Sequence, residues 1–140
     1  MHQLSDLPAW ASALLDEQPV AHLGLLDESG HPRVQPITFA RLENTLVSAI
    51  DDAKPKRTRA PARLARLQRD PRATLTVDRY DDDWTRLAWV QILATATITP
   101  VREAALHALQ DRYPVYRTQP PPGPLIVFTP IRILAWRASG

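Results

Sequence analysis

Between residues 73 and 80 apolar and polar side chains alternate. Leu75 and Val77 fall on one face and Thr74, Thr76 and Asp78 on the other, which predicts a half-buried strand over Ala73–Tyr80. Leu87–Thr99 is longer, rich in β-branched and aromatic residues, and predicts a second, bent strand. Val20–Asp27, His31–Arg41 and Thr45–Ile50 predict a three-stranded meander, joined by the turn signals Glu28-Ser29-Gly30 and Leu42-Glu43-Asn44. Pro36 places the middle strand at an edge or a bulge. Leu125–Thr129 and Ile131–Trp136 follow as strands, with Pro130 allowing a sharp bend between them.

Helical spacing occurs in three places. Leu7, Trp10, Leu14 and Leu15 recur on one face of residues 5–17, with Ser5 or Asp6 as cap and Pro8 in the first turn. Pro61–Arg69 opens on a proline and stops before Pro71; Ala60, Leu64 and Leu67 share one side, while Arg59, Arg63, Arg66 and Arg69 spread over the other. A third helix runs from Pro100 to about Tyr113 with Thr99 as cap. Asp51–Thr58 reads as a loop, Asp81-Asp82-Asp83 as a solvated turn and Pro114–Pro124 as a polyproline-type loop. The order is helix, three strands, helix, two strands, helix, two strands. Strands joined by short turns with helices at the margins predict a mainly β fold, an antiparallel barrel. No repeat or long linker divides the chain, so residues 1–140 are expected to form a single domain.

The absence of cysteine excludes a disulfide framework and a thiolate metal site, and agrees with a reducing compartment. No stretch approaches the ~18 apolar residues of a membrane span. Residues 1–19 lack a basic segment followed by a long apolar run, so the expectation is a cytoplasmic protein without a membrane partner. The net charge is only +2, yet Lys54, Lys56, Arg57, Arg59, Arg63, Arg66, Arg69 and Arg72 crowd together, with both lysines of the chain among them. Such a block points to an anionic partner more than to general solubility.

A phosphate needs several donors and a positive potential. Helix N-termini supply N–H groups and a favourable dipole, arginine bidentate hydrogen bonds and lysine a mobile charge. The run Lys54–Arg63 supplies both cations just ahead of a helix start. The same residues also read as a solvated basic face, and residue chemistry alone leaves both readings open. Basic barrels bind single-stranded nucleic acid through aromatic platforms. Here no aromatic residue interrupts the basic block, so no nucleic-acid partner is expected. His2, His22, His31 and His107 show no metal spacing, and neither a Ser-His-Asp order nor a paired-carboxylate motif is present. No metal site is therefore expected, and His22 and His31 read as structural. Trp10 reads as helix packing and Trp136 as core or subunit packing. Trp84 and Trp89 flank the long strand, and Trp89 either packs or covers a pocket.

Three segments, HPRVQPITF (31–39), the block 51–84 and LAWVQILATATI (87–98), together resemble the pyridoxamine 5′-phosphate oxidase-like superfamily, and more narrowly its actinobacterial F420-dependent branch. The most specific piece is RLARLQRDPRATLTV (63–77): a basic residue, a helix, Asp-Pro and a strand. The resemblance implies an FMN-binding split β-barrel of six to seven antiparallel strands and three helices. It also implies a homodimer with cofactor sites at the subunit interface, the cofactor being the deazaflavin F420 or, alternatively, FMN. Lys54, Lys56, Arg57 and Arg63 would grip the cofactor phosphate, and the ring system would lie along Gln35, Pro36, Ile37 and Thr38. Trp89 and Gln91 would reach in from the partner subunit. Pro61 stands where the family usually has a small hydroxyl residue, leaving Thr58 as the substitute donor, and the KPKRT loop departs from the family pattern. The implied activity is hydride transfer between the cofactor and an unsaturated small molecule. Cofactor chemistry of this kind requires no acid–base constellation from the protein, and none identifies a catalytic residue here.

Overall fold

In the computed structural model, which describes residues 1–50 and 61–139, the longest antiparallel pairing joins two long strands, and every second side chain from Ala88 to Ala96 in the first of them is buried. These strands are β6 (Ala88–Thr99) and β7 (Leu125–Arg137). The preceding strands are β1 (Ala21–Leu26), β2 (Pro32–Ile37), β3 (Ala40–Leu42), β4 (Thr45–Ala49) and β5 (Arg72–Arg79). All pairings are antiparallel, in the order β2-β1-β5-β6-β7-β4-β3. The two outermost strands, β2 and β3, are consecutive in the chain, with only Thr38 and Phe39 between them. Three Cα steps cover at most about 11 Å, so the two edges of the sheet are drawn together at this dipeptide. The sheet thus curls into a barrel left open along one seam.

The expected strand His31–Arg41 is therefore two strands on opposite edges. What divides them is tertiary. Phe39 is fully buried, and its N–H donates to the Tyr113 hydroxyl at 3.0 Å. Ser48 Oγ donates to the Thr38 carbonyl at 2.7 Å, and Thr38 Oγ1 lies 2.7 Å from the Tyr116 hydroxyl. Backbone groups that leave a ladder inside a protein must find such partners.

Inside the barrel the alternating residues Leu23, Leu75, Val90, Ile92, Phe128 and their neighbours form one core. Helices α1 (Ala9–Glu17) and α2 (Ala62–Arg69) close it, α1 through Leu14 and Leu15 and α2 through Leu64 and Leu67. A second cluster, including Val47, Ala105, Leu109 and Tyr116, lies where α3 (Glu103–Arg112) and α4 (Val115–Thr118) cover β3 and β4. β4 is consequently buried on both faces.

Four boundaries differ from the sequence pattern. The first helix starts at Ala9, after a 3-10 turn at Leu4–Asp6, because a residue before proline is pushed out of the helical region and Leu7 is extended (ψ 137°). The third helix starts at Glu103 rather than Pro100: Thr99 is still paired with Leu125, and its hydroxyl contacts the Pro100 carbonyl instead of capping. Part of the expected polyproline loop is helix α4, so among the described residues there are four α-helices rather than three, besides 3-10 turns. The last two strands are one, since the register jumps from Leu93↔Arg132 to Ala94↔Pro130 and Ile131 is absorbed as a bulge. Pro130 is tolerated at that irregularity.

The corner between α2 and β5 is tied by Arg72, whose Nη2 lies 2.7 Å from Asp70 Oδ2. This pair holds the Asp70 carboxyl down at about 2. The stabilisation belongs to the ionised form. It is complete above the unfolded value near 4 and disappears as pH falls toward about 2. Replacing Arg72 with Gln is expected to return the Asp70 titration toward 4 in a carbon-detected NMR titration; an unmoved midpoint would contradict the pairing. Leu67→Ala, which empties the contact between α2 and the core, is expected to cost about 2–5 kcal/mol in urea unfolding.

Candidate functional site

β2 is an edge strand, and hydrogen-bond alternation determines which way its backbone looks. The Asp27 N–H donates to the His31 carbonyl at 3.0 Å, in the same register as Leu25↔Arg33, Leu23↔Gln35 and Ala21↔Ile37. Bonded and non-bonded pairs alternate in antiparallel ladders. Pro32, Val34 and Pro36 therefore turn their main-chain polar atoms away from β1, toward the open edge. Proline costs no ladder bond there, which accounts for both prolines. Of these three residues only Val34 has an N–H to offer. The open edge thus presents one donor among carbonyl acceptors.

Side chains along β2 alternate too. Pro36 is on the outer face and exposed, Gln35 is on the core-facing side and half-buried, and Ile37 is buried in the core. Thr38 has left the ladder, its hydroxyl held by Tyr116. The expected ring-binding stretch 35–38 is therefore no single side-chain surface, and of its residues only Pro36 turns its backbone to the open edge. At the hairpin end of β2, Asp27 Oδ1 accepts from the N–H groups of Ser29 (2.9 Å) and His31 (3.0 Å), and Oδ2 faces Arg33 at 3.4 Å. The His31 N–H, then Ser29 and Arg33, hold this carboxyl below the usual range, against the opposing effect of burial.

Arg63 lies in the first turn of α2, half-buried, with its Nε shielded from solvent. Lys54, Lys56, Arg57 and Thr58, expected to share its role, lie outside the described residues, as do Arg59, Ala60 and the rest of the predicted loop 51–58. Arg66 does not coat the outer helix face: its side chain is 14% exposed and reaches Glu28 at the β1–β2 turn, 3.3 Å away. That contact ties α2 to the hairpin that carries β2.

Pro36, His22, Thr76, Gln91 and Leu134 form one row across the outer face of β2, β1, β5, β6 and β7. Val34, Gly24, Thr74, Leu93 and Arg132 form the next, and Asp78, Trp89 and Trp136 another. Pro36 and Gln91 thus share a face but stand three strands apart, about 14 Å at ordinary strand spacing. Trp89 lies further still from Pro36, so within one chain they do not close a pocket together. Trp136 is not in the core; it is 45% exposed and stacks on Trp89 with ring centroids 6.5 Å apart. His22 and His31 are both exposed and carry no core role. Gly24, with Leu26, Pro32, Arg72 and Thr74, lines a shallow hollow of about 340 Å³ on this face.

Asp81 and Asp83 are engaged in their own turn. Asp81 pairs with Arg86 at 3.0 Å, and Asp83 accepts from the Thr85 N–H and hydroxyl. Among the described residues no group of three His, Asp or Glu side chains is arranged to hold a metal ion, and no helix is long and apolar enough to cross a membrane. Tyr113, Tyr116 and Ser48, which set the end of β2, carried no sequence signal beyond the Tyr-Pro-Val-Tyr spacing.

The family model described as pyridoxamine 5′-phosphate oxidase matches residues 7–137. Among solved structures, the conserved hypothetical protein Rv2991 from Mycobacterium tuberculosis superposes with a TM-score of 0.71 at 16% identity, over 99% of this chain and 91% of that one. A heme binding protein from Mycobacterium smegmatis gives 0.71 at 19% identity, over 95% of this chain and 55% of that one. An F420 reductase gives 0.65 at 19% identity, over 91% and 98%. At such identities the likeness is one of fold. No curated protein matches the chain. The matched span takes in all seven strands and the four α-helices, and the chain belongs to the pyridoxamine 5′-phosphate oxidase family.

Proposed function

We propose that this protein is an F420-dependent oxidoreductase, working as a cytoplasmic homodimer, with FMN as the alternative cofactor. The observation that carries the reading is a family match over residues 7–137 in which a half-buried arginine, Arg63, stands in the first turn of α2 directly after the cations Lys54, Lys56 and Arg57. The donor set fits a phosphorylated ring cofactor. Arg63 and the cations before it suit the phosphate, with Thr58 as a hydroxyl donor, and the first turn of a helix adds a favourable dipole. Pro61 at the N-cap has no side-chain oxygen to compete for that position. The open edge of β2 offers the Val34 N–H and the carbonyls of Pro32 and Pro36 to the polar rim of a planar ring, with Gln35 beside them.

When bound, such a cofactor supplies hydride transfer to an unsaturated small molecule. The protein's own part is to hold the ring edge, neutralise the phosphate and exclude water. The spread of cations from 54 to 72 suits the longer polyanionic tail of F420. The engagement of Arg66 by Glu28 and of Arg72 by Asp70 narrows that band, which favours the shorter FMN as the second reading.

Dimerisation has its support in the outer sheet face. Val34 (69% exposed) lies on it at the β2 edge, and Trp136, Leu134 and Leu93 lie on it three to four strands away, on the part of the face that α3 and α4 leave uncovered among the described residues. Uncovered apolar surface of this kind marks an interface. A second chain laid there would bring its Trp89 and Gln91 toward the Pro36 row.

Titration of the purified chain with F420, FMN and hemin tests the reading. Saturable binding of F420 or FMN is expected, with Arg63→Ala and Lys56→Ala each weakening it by about 1–3 kcal/mol through loss of a charge-assisted hydrogen bond. Binding of hemin alone, or affinity indifferent to both substitutions, would contradict it. In sedimentation the chain is expected to be a dimer, and Val34→Glu to shift it to monomer; a wild-type monomer would remove the interface.

A further inference from the structure

An edge strand has a ladder on one side only, so its position depends on whatever fixes its two ends. At the hairpin end of β2 that is Asp27. At the other end it is a set of hydroxyls carried by the C-cap of α3, by α4 and by β4. Tyr113 Oη accepts from the Phe39 N–H at 3.0 Å, with the carbonyls of Pro19 (2.8 Å) and Phe39 (2.9 Å) both within reach of its single proton. Pro19 leads into β1, so this phenol fastens the start of β1 to the end of β2. Burial first of all keeps the phenol above its ordinary pKa and therefore protonated, against the Phe39 N–H.

Tyr116, 1% exposed, pairs with the Thr38 hydroxyl at 2.7 Å, and Gln110 Nε2 holds the Tyr116 carbonyl at 3.2 Å. Ser48 reaches the Thr38 carbonyl from β4. The Arg112 guanidinium lies 4.3 Å over the Phe39 ring and donates to the Gln18 carbonyl. Three parts of the fold, α3 with its C-cap Tyr113, α4 and β4, thus converge on two residues. Between the Asp27 end and this clamp, the middle of β2 is free on its outer edge.

We propose that Tyr116 and Tyr113 are positioning residues for cofactor binding: through Thr38 and Phe39 they set the height and tilt of the open edge of β2 against which the ring lies. The proposal rests on the reading of β2 as the ring-binding strand. Tyr116 acts through the Thr38 hydroxyl. Tyr113 acts through the Phe39 N–H.

The test is equilibrium titration of FMN and of F420 into the full chain, as wild type, Tyr116→Phe, Thr38→Val and the double variant, with the absorption band of the bound cofactor and the thermal midpoint of each. Tyr116→Phe and Thr38→Val both remove the hydrogen bond between these two hydroxyls. Each is expected to weaken binding about three- to tenfold, the double variant no more than the weaker-binding single one, and the bound band to shift in the same direction in all three. Unchanged affinity and band with a lowered thermal midpoint would show a purely structural role and overturn the proposal. Losses that add in the double variant would also overturn it, since the two hydroxyls would then act separately. Should Tyr116→Phe fail to fold, Thr38→Val decides alone: unchanged affinity and band overturn the proposal. A wild-type chain that binds neither cofactor is a distinct result that overturns the functional reading, and this proposal with it.

Discussion

The hydroxyl clamp on Thr38 and Phe39 holds together the two edges of one curled seven-stranded sheet. A seven-stranded sheet whose edge strands follow one another in the chain must bring those edges within the reach of a dipeptide. That dipeptide leaves both ladders, so its polar groups would be stranded beside a buried phenylalanine without outside donors and acceptors. Tyr113, Tyr116 and Ser48 supply them. A buried polar group without a partner costs about 1–3 kcal/mol, so hydroxyls at the seam matter more there than on the surface.

From that constraint the rest of the arrangement follows. Drawing the two edges together at one dipeptide leaves β2 exposed along its outer edge, and prolines 32 and 36 occupy the positions whose nitrogens face that edge. They limit the donors there to Val34 and blunt the strand against pairing with another sheet. The same curl puts Leu64 and Leu67 of α2 into the barrel and Arg66 against the β1–β2 hairpin, so the first turn of α2, with Arg63, is held by both core and hairpin. Cationic helix start and open strand edge are in this way parts of one rigid frame. The outer face of the larger part of the sheet remains uncovered among the described residues, and its Trp89–Trp136 stack is a surface feature rather than core packing.

Much of the frame was legible in the residues. The alternation in β5 and β6, the amphipathic α2 bounded by Pro61 and Pro71, and the edge position implied by Pro36 all have local physical causes and stand in the structure. The ordered motifs of segments 31–39, 51–84 and 87–98 pointed to the family that the match over 7–137 shows. What local pattern did not contain was anything decided across the fold. The break at Thr38–Phe39 is made by tyrosines more than seventy positions away. α4 hides in a proline-rich stretch because Tyr116 and Gln110 anchor it. Pro130 reads as a bend, yet an extra residue in β7 absorbs it. Arg66 reads as a surface cation until Glu28 is brought beside it. The expected ring-binding residues 35–38 run across the end of β2, but period-two alternation sends Gln35 and Ile37 to the other face from Pro36.

The central claim is that a phosphorylated ring lies between the open edge of β2 and the start of α2. Hydrogen exchange of the full chain with and without saturating FMN or F420 tests it most directly. Slowed exchange at Val34 and along residues 54–65, with β4 and the Asp81–Arg86 turn unaffected, is the pattern this arrangement produces. Slowing confined to other surfaces, or none at all, would contradict it.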